Sequence, residues 1–287
     1  MRLTTEVFGP VRRGWQATAM DRLDALRIKY ARAQEHRAAW SRALDKWVAT
    51  MPYGVRGEAD PSGWFVIRLV ARELPPPELS LNFADMISNL RATLDHIIWA
   101  LVEESGNATH DKLTFPCVLD RKDWPSSLGS RLMNVPPQWI PAIEQAQPFT
   151  APHPRRHAMH VLHRLDITTK HRLLIPIEPS TFEWEATYSV NRAIREDDRR
   201  VDQVASTGVR LTDGVELARV RFLSKTADLH VTGIKTVTEA GAGWGPRLDG
   251  LDLTGNDDFP DMMTFVGTQI ETFAPAFRRP GPSPLLP

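Results

Sequence analysis

Cysteine is almost missing from the chain: Cys117 is the only one in 287 residues, which excludes an intrachain disulfide and the small disulfide-stapled folds. It lies in an apolar Phe-Pro-Cys-Val run, where a buried structural thiol is expected rather than a nucleophile. An excess of either charge is also lacking. Lys+Arg and Asp+Glu both number 35, so no global field draws the chain to nucleic acid or an anionic membrane, and any basic surface must be local. No apolar run approaches the ~20 residues of a membrane span. Residues 1–15 lack the apolar core of a signal peptide, so no membrane partner and a cytoplasmic location are expected. Tyrosine is scarce, at three, but there are nine Trp and 23 Pro. That composition suits long ordered connections between the main elements.

What is present is helical periodicity. Leu23, Leu26, Tyr30, Ala33, Trp40, Leu44 and Trp47 step by threes and fours over residues 21–48, one apolar stripe on a long helix. Residues 64–72 alternate and read as a strand. A second helix is expected over about 82–104, closed by Gly106 and Asn107. A third fits 153–173, with Pro154 in its first turn. The 113–152 connection holds one short helix near 140–146. Residues 182–240 read as antiparallel strands, and Thr212-Asp213-Gly214 supplies a tight turn. A last helix from about 258 carries Phe259, Met262, Val266, Ile270 and Phe273. Together these predict one α+β domain over 1–287: a four-helix bundle with an antiparallel β-sheet inserted before its last helix. The helical core would cover about 19–180 and 257–275, the β segment about 182–240 and a disordered tail 276–287.

The second helix carries Asn89-Leu90-Arg91-Ala92-Thr93-Leu94-Asp95-His96. At about 100° per residue, Arg91 and His96 stand roughly 140° apart around the axis. They cooperate only if a second surface, such as a subunit interface, reaches both. Arg91 and Asp95 form an i,i+4 pair of opposite charge, and His96 is then a solvent-facing histidine. The catalytic alternative uses the imidazole as general acid or base at a ribose hydroxyl. The guanidinium would hold a phosphate, Asp95 would orient it, and no metal or other cofactor is needed.

An Arg, four residues and a His on a helix of a mainly helical bundle resembles the HEPN superfamily, many of whose members are metal-independent ribonucleases acting as dimers. The resemblance implies Arg91 and His96 as catalytic residues, RNA as a partner and a homodimer. More closely, the Arg91-to-His96 segment with Asp166 and Lys170-His171-Arg172 is similar to uncharacterised bacterial and phage proteins that share RxxLDH and DKHR-like motifs. That similarity spans about residues 21–175.

Five Lys or Arg, five His and a single acid, Asp166, lie between Ala151 and Arg172. Asp166, Lys170, His171 and Arg172 are therefore candidate ligand contacts, by a cationic surface that suits phosphate. The same cations also suit a helix C-terminus. If the second and third helices are antiparallel neighbours, Arg91 or Asp95 meets Asp166 and His171 in a buried network that fixes register. His153, His157 and His160, at i, i+4 and i+7, share a face if the helix starts early enough, which gives a metal site as a further alternative. Three functions follow: a metal-independent endoribonuclease, a non-catalytic binding or scaffold protein whose Arg–Asp–His cluster is structural, and a metal-dependent hydrolase on the third helix.

Overall fold

The structure, a computed structural model, describes residues 21–62, 64–171, 213–221 and 258–277 with their side chains, and residue 222 by its strand backbone. It also describes strand backbones at 177–179, 183–190, 201–205, 231–239, 244–248 and 251–252. Helix and antiparallel sheet are combined, as an α+β chain requires. Among the described residues no helix is long and apolar enough to cross a membrane.

Helix α1 spans Arg22–Val48. Asp21 caps it by accepting the Leu23 N–H at 3.1 Å, as a short acidic side chain does at a helix start. Its stripe of Leu23, Leu26, Ala33, Trp40 and Trp47 is buried. Helix α2, Pro77–Glu104, begins five residues before the expected start, because proline fits the first turn, where its missing N–H has no helical partner. At its end Gly106 takes φ +73°. The Gly106 and Asn107 N–H groups bond back to the Glu103 and Val102 carbonyls at 3.1 and 3.2 Å, a Schellman closure.

The connection from α2 holds two short helices, α3 (Trp124–Ser130) and α4 (Ile140–Gln145), where one was expected. Helix α5 runs Ala158–His171 and α6 Asp258–Phe277. Helix α2 packs against α1, α5 and α6, and α6 touches α1 and α5 as well. One apolar core joins them through Phe83, Leu90, Leu94, Leu162, Leu165, Phe259 and Phe273. Phe259 closes it, with ring centroids 5.0 Å from Trp40 and 5.2 Å from Phe83.

The sheet differs from the expectation of a single inserted segment. Strands β1 (Tyr53–Ala59) and β2 (Phe65–Ala71) form a hairpin between α1 and α2. Strands β3 (Ile177–Pro179), β4 (Glu183–Val190), β5 (Val201–Ala205) and β6 (Glu216–Phe222) follow α5. Strands β7 (Val231–Glu239), β8 (Trp244–Leu248) and β9 (Leu251–Asp252) complete the set. The four-stranded sheet has the order β1-β2-β6-β5; β3, β8 and β9 form a second unit, and β4 pairs with β7. The early hairpin thus joins the later strands, because Phe65 and Ile67 bury their inward face against Ala218 and Val220. Residues 278–287, most of the expected tail, lie outside the described residues.

Candidate functional site

The helical rotation that separates Arg91 from His96 is set by the apolar stripe of α2. Leu90, Leu94 and Ile97 are fully buried, which turns Arg91 inward and leaves His96 exposed. Arg91 is only 6% exposed. Its Nη2 donates to Asp95 Oδ1 at 2.8 Å and to the Phe115 carbonyl at 2.6 Å. Nη1 lies 3.9 Å from the Met159 sulfur on α5. Asp95 Oδ1 also accepts the Phe115 N–H at 2.9 Å. The Arg–Asp pair therefore clamps both backbone groups of one loop residue. Such groups are costly to leave unbonded in the interior.

Helix α5 brings the second cluster to the same interface. Asp166 is buried on α5 and accepts from Lys170 Nζ at 2.6 Å, with the lysine side chain 61% exposed. Burial pushes the Asp95 carboxyl above its ordinary range. Arg91 and the Phe115 N–H pull it down, the Asp166 charge pushes it further up, and Lys170 pulls against that. Asp95 and Asp166 thus feel one another's charge across the two helices. His163 faces the same region. Burial, reinforced by the Arg91 and Arg131 charges, drives its pKa down to about 4. Its Nδ1 is buried with no hydrogen-bond partner among the described residues. Cys117 is raised to about 11, chiefly by burial, so its thiol stays protonated and is no nucleophile at neutral pH.

His96 stands apart. It lines a groove of about 330 Å3 between α1 and α2, with Arg22, Leu26, Trp99 and Glu103. Burial and then the Lys29 charge lower its pKa. Arg91 does not line this groove, so the structure does not bring Arg91 and His96 to one cleft within the chain. His171 is exposed at the end of α5, and Arg172 lies outside the described residues.

The histidine face expected on α5 does not form. Residues 154–156 make a 3-10 turn, and His157 then takes extended backbone before α5 starts at Ala158. His153 and His157 are consequently not on the helix that carries His160. His157 serves as its cap instead, with Nδ1 accepting the Met159 N–H at 3.2 Å. Its lowered pKa, caused by burial, keeps the ring neutral and able to accept. Among the described residues no group of three or more His, Cys, Asp or Glu could hold a metal ion.

Sequence reasoning missed Phe115 and Arg131 as members of this neighbourhood. Phe115 contributes only its backbone N–H and C=O, for which no side-chain pattern gives a signal. Comparison with protein-family profiles, curated proteins and solved structures finds no match for the chain.

Proposed function

We propose that the chain is a non-catalytic binding or scaffold protein on a HEPN-like helical bundle, in which Arg91, Asp95, Asp166 and Lys170 are a structural network that sets the register of α2 on α5. The observation that carries this reading is the full commitment of Arg91 Nη2 to Asp95 and the Phe115 carbonyl, in a side chain almost closed to water. A guanidinium that held phosphate in a transition state would need free donors facing solvent. A homodimeric endoribonuclease would have to turn Arg91 outward and carry RNA across α2 to His96. A metal-dependent hydrolase is disfavoured by the use of His157 as a helix cap.

The test is incubation of the purified chain with a mixed-sequence RNA in excess chelator, beside Arg91→Ala and His96→Ala. The reading expects no cleavage by any of the three, and loss of stability in Arg91→Ala alone. Cleavage by the native chain that disappears in both variants, with folding intact, would establish the ribonuclease instead.

A further inference from the structure

We propose that the pocket of about 530 Å3 lined by Leu119, Pro152, His153, Pro154, Arg155 and Arg156 binds a small phosphate monoester with an apolar ring, of nucleotide size. Its volume lies in the range of small-ligand sites, which combine apolar walls with a few polar groups that fix orientation. Leu119, Pro152 and Pro154 supply the walls. Arg155 and Arg156, both exposed, are the arginines of the lining, and a planar fork of N–H donors matches the oxygens of a phosphate.

Charge is the decisive feature. No acid lines the pocket, and neither Arg155 nor Arg156 makes an ion pair or a side-chain hydrogen bond among the described residues. Two of the acids nearby in sequence are already engaged. Asp120 holds Lys122 Nζ at 2.9 Å and Glu144 holds Arg121 Nη1 at 3.1 Å. The field of Arg155 extends one turn into α5, where it helps lower the pKa of His160 after burial and Arg164. An unneutralised guanidinium pair beside an apolar wall is what a dianionic ligand complements.

The backbone that carries the pair is fixed before any ligand arrives. The Arg156 N–H bonds to the His153 carbonyl at 2.9 Å and the His157 N–H to the Pro154 carbonyl at 3.3 Å. On the other wall, the Phe149 N–H bonds to the Val118 carbonyl at 3.3 Å, fixing the chain that leads into Leu119. Two prolines restrict the loop further. With the backbone fixed, the ordering cost of binding falls on the two exposed arginine side chains.

Titration calorimetry of the full chain with AMP, adenosine and an oligoglutamate peptide tests the proposal. AMP should bind saturably at one site, more weakly as salt rises, and adenosine should give no comparable heat. Arg155→Ala with Arg156→Ala should weaken AMP binding by at least about tenfold. Arg42→Ala, on α1 and outside this pocket, should leave it unchanged; circular dichroism checks that each variant is folded. The proposal is overturned if AMP fails to bind, if adenosine binds equally well, if the peptide binds in preference to AMP, or if the double variant binds like the native chain. RNA cleavage would overturn the non-catalytic reading and leave this pocket standing. Absence of AMP binding would do the reverse.

Discussion

Arg91 and Lys170 both pair with an aspartate four residues away on the same helix, yet their surroundings give the two pairs different weight. Arg91 is shut off from water, and removing it strands the Asp95 carboxylate and the Phe115 carbonyl together. Lys170 is largely in solvent, but the Asp166 carboxylate it donates to is buried, so only half of this pair escapes the cost of burial. Chemical denaturation should therefore show Arg91→Ala losing about 2–4 kcal/mol, the buried-pair cost discounted because Asp95 keeps 26% of its side-chain surface. Lys170→Ala should lose less, about 1–2 kcal/mol, because it leaves the buried Asp166 carboxylate without this donor while the lysine itself sits in solvent. The rotation of Arg91 away from His96 was legible in the sequence, since it follows from the position of Leu94 on the stripe. The partnership with Phe115 was not, because it uses only main-chain atoms of a loop whose path no periodicity encodes.

At the scale of elements, the long helices were legible because α1, α2 and α6 repeat large apolar residues every three or four positions. Where they start was harder to read. Pro77 begins α2 although a triple proline looks like a stop, and His157 caps α5 although histidine is an uncommon cap. His157→Ala removes that acceptor and should cost about 0.5–2 kcal/mol in denaturant, as loss of a helix cap does. Strand β1 left little trace, because an edge strand such as Tyr53–Ala59 buries only Gly54 and carries Gly, Arg and Glu in place of an apolar alternation. Its later partners were legible as β but not as neighbours of β2; pairing over such separation depends on tertiary packing. Helix α6 depends on packing too. Phe259→Ala, which empties the space between Trp40 and Phe83, should cost about 3–5 kcal/mol in unfolding free energy.

Over the whole molecule, equal numbers of acidic and basic residues leave stability against pH to individual buried groups. His163 has a folded pKa of about 4 against an ordinary 6.5. Between those values the unfolded chain binds the proton and the folded chain does not. Stability should therefore be complete above about pH 6.5 and fall as pH drops toward 4. His96, His157 and His160, lowered in the same direction, add to this slope. Asp95 acts in the opposite sense: its carboxyl is raised, so its protonation in acid relieves a cost of folding. Urea midpoints measured from pH 4.5 to 8 should rise with pH and level off near neutrality, with a visibly shallower rise in His163→Leu.

The central claim is that Arg91 is spent on the fold and His96 is not. Equilibrium unfolding of the native chain, Arg91→Ala and His96→Ala at pH 7 reads this directly. Arg91→Ala should lose about 2–4 kcal/mol while His96→Ala, an exposed position, stays within about 0.5 kcal/mol of native. Equal stability of all three chains would contradict the account and return Arg91 to the candidates for chemistry.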